Sequence, residues 1–233
     1  MDSHMLKSFY DQVGESNGWD FSRLSVTSEG ELWEFYEEAR RECKPTDLLL
    51  DIGTGGGERL LTIADAVHLI VGIDQSAGMI RTAQANLQRD GHPHVRFCRM
   101  DAERLDFPAS FFQVVSCRQS PFDAREVHRV LAQDGVFLTQ QVAEDDKRNL
   151  KQALGRGQGA DTEPGSLRDR YAAMLAVFAT YEDLVFLLKH TPIVPGFGEC
   201  EEDFDRLHAF IEQNRTDRGI QTNSKRFMIV ARN

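Results

Sequence analysis

The sequence predicts an α/β fold built around a doubly wound, mostly parallel sheet. Short apolar runs alternate with segments of helical period, and one of these runs leads directly into a glycine-rich turn. Acidic residues follow three of the apolar runs, at Asp51, Asp74 and Asp101. A chain of 233 residues, 41% hydrophobic and 27% charged, is long enough to bury the core of one such domain.

Each predicted element of the core has its own local signal. Five short apolar runs are predicted strands, at 48–50, 69–73, 95–98, 112–116 and 136–142. Four segments carry apolar residues at helical spacing and are predicted helices, at 31–43, 60–67, 76–87 and 123–132. Pro45 should end the first helix, Ser76 should cap the third, and Gly135 should close the last strand–helix unit. Five units of this kind fit a doubly wound sheet.

Beyond the glycine-rich stretch 155–165 the pattern becomes mainly helical. The apolar spacing predicts helices at 167–178, 182–189 and 202–214, followed by a closing strand at 225–232. A sixth strand is not clearly marked, and 176–180 is the candidate for it. This part of the chain is therefore predicted to be a helical elaboration of the sheet.

The glycine-rich turn predicts a site where a ligand lies against bare main chain. Gly53, Gly55 and Gly57 follow the first core strand, and glycine permits positive φ and close approach to the backbone. A dinucleotide-binding turn would need another glycine where Glu58 stands, and no tyrosine is followed four residues later by a lysine. Asp51, just before the turn, would repel a pyrophosphate and attract an ammonium or sulfonium group.

The segment from Asp51 to Gly57 resembles motif I of the class I S-adenosylmethionine-dependent methyltransferases. The resemblance continues at Asp74, where the family places an acid that binds the ribose hydroxyls, and in the segment DQSAGMIRTAQ that begins there. Asp101 and Ala102 match the position that recognises adenine.

Two later segments carry the same resemblance. Residues 111–115 are similar to the F-D-x-V strand of the family, although Gln113 stands where the acid usually lies. Residues 129–135 match its R-V-L-x-x-x-G segment. The resemblance implies a Rossmann-like, seven-stranded sheet whose last strand is antiparallel, and S-adenosyl-L-methionine as the cofactor.

The resemblance also implies the cofactor contacts. The main chain of residues 53–55 should meet the methionine and ribose portion, Asp51 the α-amino group, Asp74 the ribose hydroxyls and Asp101 the adenine amine. The full predicted set is Asp51, Gly53, Thr54, Gly55, Gly57, Asp74, Gln75, Asp101, Ala102 and Arg118. No catalytic base is identified, since His128, His190 and His208 are lone histidines for which a structural place is the simpler interpretation.

The predicted function is methyl transfer to a nitrogen or oxygen atom of a small-molecule acceptor. One alternative is RNA or tRNA base methylation. The segment Gln119-Ser120-Pro121-Phe122 shares only its last two positions with the [N/D]-P-P-[Y/F] sequence of amino-directed enzymes, and a net charge of −10 disfavours a nucleic-acid partner. The other alternative is a non-catalytic protein that binds S-adenosylmethionine.

Composition and spacing complete the expectations. Four widely spaced cysteines without a CxxC pair predict neither a metal site nor a disulfide framework, and a cytoplasmic location with no membrane partner is expected. Residues 1–4 resemble a vector remnant before Met5. The rest is predicted as one domain, with an N-terminal helical arm (5–44), a cofactor-binding core (45–142) and a helical lid or substrate region with the closing strand (143–233). The sequence does not indicate an oligomeric state.

Overall fold

A computed structural model describes residues 3–16, 21–157 and 171–233 of the chain. By their contacts the residues divide into two units. The larger comprises Asp2–Asp20, Trp33–Gln141 and Met228–Asn233, and the smaller comprises Met1, Phe21–Leu32 and Val142–Phe227. Within the described ranges, none of the helices combines the length and apolar character that a membrane span needs.

The larger unit contains the parallel strands that the sequence predicts. They are β2 (Leu48–Ile52), β3 (Leu69–Asp74), β4 (Val95–Arg99), β5 (Phe112–Arg118) and β6 (Leu131–Val142), which follow β1 of the smaller unit in the chain. Their order is β4-β3-β2-β5-β6, and every neighbouring pair is parallel. The chain therefore winds outward from β2 in both directions, and a crevice is expected at the switch point, beyond the carboxyl ends of β2 and β5.

Helices cover both faces of this sheet. They are α1 (Ser3–Ser16), α2 (Phe35–Glu42), α3 (Glu58–Leu61), α4 (Ala77–Asp90) and α5 (Ala124–Val130), with a 3-10 turn at Ala64–Ala66. The consecutive residues Leu49 and Leu50 point to opposite faces of β2, and both are 0% exposed. Both faces of the sheet are therefore buried, which confirms the doubly wound prediction.

Side-chain caps fix where two of these helices begin. Ser76 Oγ accepts a hydrogen bond from the Met79 amide at 3.1 Å, as the sequence predicts for α4. Asp123 Oδ1 caps α5 by accepting from the amides of Arg125 and Glu126 at 2.8 and 3.0 Å. Each cap satisfies amides that the helix leaves unpaired and contributes about 1 kcal/mol.

Helix α1 packs closely against α4 because glycines stand at the contact. A Cβ atom at Gly14 would lie 2.4 Å from the Met79 amide nitrogen, and one at Gly78 would lie 2.4 Å from the Asp11 carbonyl oxygen. Asp11 Oδ1 also accepts a hydrogen bond from Ser76 Oγ at 2.7 Å, and Thr82 Oγ1 donates to the Gly14 carbonyl at 2.7 Å. The close backbone approach thus holds α1 on the sheet.

The smaller unit contains a separate antiparallel arrangement. Its elements are β1 (Val26–Glu29), α6 (Arg148–Ala153), β7 (Tyr171–Phe178), α7 (Tyr181–His190), α8 (Glu202–Asn214), β8 (Arg215–Thr216) and the first part of β9 (Gly219–Arg232). Strand β7 pairs antiparallel with β1 and β9, and β8 pairs antiparallel with β9. The antiparallel last strand is therefore confirmed, and its final residues, from Met228 onward, belong to the larger unit.

The predicted helix at 167–178 is wrong over its described part, because residues 171–178 form β7. Alanine and methionine favour helices in isolation, but pairing with a strand on each side and the burial of Ala176, Val177 and Phe178 override that preference here. β7 also supplies the sixth core strand that the sequence marked only at 176–180. Residues 167–170 and most of the stretch 155–165 lie outside the described residues.

Two further expectations need adjustment. The helix predicted at 31–43 begins only at Phe35, where Glu34 accepts from the Glu37 amide as the cap, and Leu32 is 70% exposed instead of facing inward. The described residues contain nine strands where the family resemblance implies seven. The additional two are the short β1 and β8, which lack a clear apolar pattern.

The α1–α4 contact predicts the effect of one added methyl group. Gly78→Ala should lower the free energy of unfolding by about 1–3 kcal/mol, because the forced backbone shift outweighs the gain of about 1 kcal/mol in helix propensity. Gln88→Ala, on the exposed side of α4, should change it by less than about 0.5 kcal/mol. Chemical denaturation measures both values, and equal stability of the two variants would contradict the close packing.

Candidate functional site

A cavity of about 280 Å³ lies in the larger unit where β2, β3 and β5 end. This is the switch point of the sheet. Eight of the ten residues predicted to bind the cofactor line it: Gly53, Thr54, Gly55, Asp74, Gln75, Asp101, Ala102 and Arg118. Asp51 and Gly57 do not.

The glycine turn places main-chain atoms directly at the cavity. The amides of Gly53 and Thr54 both donate to the Ile73 carbonyl at 2.9 Å, which ties the turn to the end of β3. Gly53 and Gly55 have φ of 73° and 58°, a region that favours glycine. A Cβ atom at Gly53 would stand 2.2 Å from Ser120 Cβ. Any side chain at this position would therefore collide with Ser120, which lies just beyond the end of β5.

Asp74 ends β3 and presents a fixed carboxylate to the cavity. Its Oδ1 accepts from the Ser76 amide at 2.8 Å, and its Oδ2 accepts from the Gly55 amide at 3.1 Å. Burial raises the pKa of this carboxyl, while the two amide hydrogen bonds act in the opposite direction. Each oxygen has a second lone pair, so the carboxylate can accept two further hydrogen bonds from a ligand.

Asp51 lies beneath the cavity and is 0% exposed. Ser116 Oγ donates to its Oδ1 at 2.6 Å, and the Tyr36 hydroxyl donates to its Oδ2 at 3.3 Å. Burial raises the pKa of Asp51 to about 6, against the lowering effect of these hydrogen bonds. Tyr36 itself lines the cavity, so its phenol stands between the Asp51 carboxylate and the ligand space. The contact between Asp51 and the α-amino group stays a prediction.

Gly57 does not line the cavity, and its absent side chain serves packing instead. It precedes α3 with φ of 75°, and a Cβ atom there would stand 2.5 Å from Phe97 Cζ. The last glycine of the turn therefore lets the loop pack against β4.

Asp101 and Gln75 lie in the loops that follow β4 and β3, and local hydrogen bonds hold each of them in place. Asp101 is exposed, and its Oδ1 accepts from the Glu103 amide at 2.9 Å. Gln75 is held through its carbonyl oxygen, which accepts from Arg99 Nε at 3.1 Å. Asp74 and Asp101 thus face one cavity from the ends of two adjacent strands, as their spacing predicts.

Arg118, at the end of β5, is one of two arginines that line this mainly acidic site. Its Nε is buried and has no hydrogen-bond partner among the described residues. The next residue, Gln119, has φ of 55°, and its amide donates to the Gln140 carbonyl at 2.7 Å. A non-glycine residue in this region is strained and is held there by its surroundings, a feature that is frequent at functional sites.

Two tyrosines that are not in the predicted set also line the cavity. Tyr10 comes from α1, and burial together with the Asp74 carboxylate raises its pKa to about 12. Tyr36 comes from α2, where burial and Asp51 raise its pKa well above the ordinary value. Their helical spacing indicated only an inward face, because which inward residue reaches the cavity depends on how α1 and α2 pack.

Two motif segments prove to be structural. Gln113 Oε1 accepts from the Leu48 amide at 2.9 Å, so the amide oxygen occupies a place that a carboxylate could also fill. Arg129 donates to the carbonyls of Phe107 and Leu105 at 2.7 and 2.6 Å and pairs with Glu126. These contacts fasten the loop between β4 and β5.

The histidines do not supply a base at this cavity. None of those in the described ranges lines it. A ring nitrogen of His94 lies 2.7 Å from the Ala64 carbonyl oxygen, and one of His190 lies 2.8 Å from the Phe186 carbonyl oxygen. The structure therefore names no catalytic residue.

Comparison with known proteins shows what this part of the chain resembles. Residues 49–135 match a family model described as a methyltransferase domain. This segment is therefore similar to a methyltransferase domain. Its bounds run from Leu49 in β2 to Gly135 in β6, so the match contains the glycine turn together with Asp51, Asp74 and Asp101.

Known proteins resemble the chain in sequence and in fold. An uncharacterized methyltransferase, YcgJ of Bacillus subtilis strain 168, is 36% identical over 104 residues, which cover 42% of this chain and 41% of the relative. The chain thus matches less than half of that relative's length. A crystal structure of YcgJ has a TM-score of 0.60 at 19% identity, covering 85% of this chain and 97% of that one. A functionally unknown protein from Deinococcus radiodurans R1 has a TM-score of 0.60 at 17% identity and covers 99% of both chains.

The class I methyltransferases that the sequence resembles use S-adenosyl-L-methionine, and the residues of the cavity fit it. Gly53 and Gly55 line the cavity with main chain, and the acceptor capacity of Asp74 suits vicinal hydroxyls. The acidic lining suits a cationic group, and the unpartnered Nε of Arg118 can donate to a carboxylate.

The buried position of Asp51 predicts a pH-dependent stability. Its folded pKa of about 6 exceeds the ordinary 3.8, so its contribution to stability is present at low pH and is lost as the pH rises through 6. Between about pH 4.5 and pH 7.5, the stability of Asp51→Asn should therefore gain about 2 kcal/mol relative to wild type.

Denaturant unfolding at several pH values measures this difference. The matched control is Asp90→Asn, because the Asp90 carboxylate is exposed and pairs only with Arg89 among the described residues. Its stability relative to wild type should stay constant within about 0.5 kcal/mol. A constant difference for Asp51→Asn as well would contradict the raised pKa.

Proposed function

We propose that this protein transfers a methyl group from S-adenosylmethionine to a nitrogen or oxygen atom of a small-molecule acceptor. The observation that carries the proposal is the Asp74 carboxylate. Two backbone amides orient it into a cavity at the switch point of a methyltransferase domain. Such a preorganised acceptor of hydroxyl groups is what the ribose of the cofactor requires.

The bound cofactor would supply a methyl group on a positively charged sulfur. The positive charge makes the neutral thioether a good leaving group. The protein would then act mainly by binding and orientation. Asp74 would hold the ribose hydroxyls, Asp101 the adenine amine and the main chain of residues 53–55 the methionine portion. Arg118 and the Tyr36 phenol would face the charged end of the methionine portion. Holding donor and acceptor ~3–3.5 Å apart can contribute ~7–11 kcal/mol to lowering the barrier.

Charge supports a small acceptor over a nucleic acid. The chain has a net charge of −10. The charged residues that line the cavity comprise four acids and two arginines, namely Glu58, Asp74, Asp101, Glu103, Arg59 and Arg118. A phosphate backbone approaching this surface would meet repulsion, whereas a neutral or cationic acceptor would not.

Two alternative functions, base methylation of RNA and non-catalytic cofactor binding, each have an observation in their favour. Pro121 lines the cavity after a strained Gln119, the position at which base-modifying enzymes carry their N-P-P-Y type of segment. This placement is the observation that favours the RNA or tRNA base alternative. The non-catalytic alternative is favoured by the absence of a histidine among the described residues that line the cavity.

Removal of one charge at Asp74 tests the cofactor site. In Asp74→Asn an amide NH₂ would face the Gly55 or Ser76 amide, so one backbone hydrogen bond and the negative charge are lost. We expect the affinity for S-adenosylhomocysteine to fall at least about tenfold, or ~1.4 kcal/mol. Titration calorimetry measures it, with Asp90→Asn as the matched control that should bind as wild type. If wild type binds no S-adenosylhomocysteine but binds NAD, the proposal fails.

A screen of acceptors tests the reaction itself. Purified protein is incubated with S-adenosylmethionine and with separate small-molecule and RNA fractions of a cell extract, and release of S-adenosylhomocysteine is measured. The proposed function predicts that the wild type releases S-adenosylhomocysteine with the small-molecule fraction and that Asp74→Asn does not. Release with RNA alone would establish the base-methylation alternative. Binding of the cofactor without release in any fraction would favour the non-catalytic alternative.

A further inference from the structure

A buried cluster of charged side chains in the smaller unit lies outside the methyltransferase domain. At its centre is Asp146, 2% exposed, in the segment that leads from β6 to α6. Its Oδ1 accepts from Ser224 Oγ at 3.0 Å, from the Lys225 amide at 2.7 Å and from Arg226 Nη1. The hydrogen-bonding capacity of this oxygen is thus already used by β9.

Lys147 adds a second cation to the cluster without a hydrogen bond of its own. Its side chain is 5% exposed, and its Nζ lies 3.9 Å from Asp146 Oδ1, beyond hydrogen-bond distance. No group of the described residues accepts a hydrogen bond from this ammonium. Burial, together with the Arg226 and Lys151 charges, lowers the pKa of Lys147 to about 8 against the raising effect of Asp146.

The backbone holds Lys147 in this place. It has φ of 54° and ψ of 29°, a left-handed conformation that costs a non-glycine residue free energy. Its amide donates to the Asn223 carbonyl at 3.1 Å, and the neighbouring Ala143 amide donates to the Lys225 carbonyl at 3.0 Å. The segment is therefore fastened along β9, and the strained residue is the one that carries the buried ammonium.

Arg226 offers further unused donors beside it. Its Nη1 contacts Asp146 and the Lys225 carbonyl, whereas its Nε and Nη2 donate to no group within the described ranges. Lys147 and Arg226 thus share one carboxylate oxygen that is already saturated. Burying a charge is costly unless it is paired and hydrogen-bonded, so this arrangement suits an additional anion.

We propose that Lys147 and Arg226 form a binding site for a small oxyanion, a phosphate or carboxylate group, in the smaller unit. The ammonium would donate to one oxygen, and the free edge of the guanidinium would donate to two. The anion would accept hydrogen bonds from donors that Asp146 Oδ1, already occupied by three, does not satisfy. This site does not depend on methyl transfer, and nothing in it requires the cofactor.

Anion titration of the full chain at about pH 7 tests the proposal. S-adenosylhomocysteine is present in excess to occupy the methyltransferase site, and sodium phosphate or sodium acetate replaces sodium chloride at constant ionic strength. We expect saturable binding of one of the two anions by calorimetry, with a rise in melting temperature. Binding of phosphate alone or acetate alone supports the site and identifies the oxyanion.

Variants localise the binding. Lys147→Met should weaken it at least about tenfold, whereas Lys147→Arg should retain it within about threefold because the charge is kept. Lys189→Met, on the exposed end of α7, is the matched control and should bind as wild type. If Lys147→Met fails to fold, anion binding by the wild type and by Lys147→Arg still tests the proposal. Absence of saturable binding of both anions in wild type, or equal binding by Lys147→Met, would overturn the proposal.

Discussion

The functional site depends on one backbone constraint, the positive φ of the glycine turn after β2. This conformation lets two consecutive amides, those of Gly53 and Thr54, donate to the same carbonyl at the end of β3. The Gly55 amide then reaches the Asp74 carboxylate. Since a side chain at Gly53 would collide with Ser120, the close approach of the turn to the residues after β5 requires glycine at this position.

Burial of negative charge is the second property on which the site depends. Asp51 and Asp74 both have raised pKa values because they are removed from water, and hydrogen bonds from hydroxyls and amides partly offset that cost. The two acids serve differently, since Asp74 lines the cavity whereas the Tyr36 phenol covers Asp51. A cation in the cavity would relieve the same electrostatic cost, which links the stability of the empty protein to its affinity for a positively charged ligand.

Local patterns were sufficient for much of the core and for eight of the residues that line the cavity. Ser76 was predicted as a cap because its hydroxyl lies three residues before the amide that it accepts from. The strand β7 was predicted largely as a helix, because its alanines and Met174 favour helices until two strands pair with it. The apolar face of α2 was recognised, but nothing in its spacing distinguished Tyr36, which reaches the cavity, from Phe35, which is buried in the core.

By itself, the sequence determined the five strands of the core from β2 to β6, the glycine turn and the acids Asp74 and Asp101, because short-range rules of backbone freedom and alternating burial encode them. Only the tertiary structure decided that Tyr36 covers Asp51 and that α1 brings Tyr10 to the cavity. It likewise decided that Lys147 and Arg226 share Asp146. These juxtapositions join residues far apart in the chain, and they follow from packing, in which a contact such as that of Gly14 with α4 fixes which side chains meet.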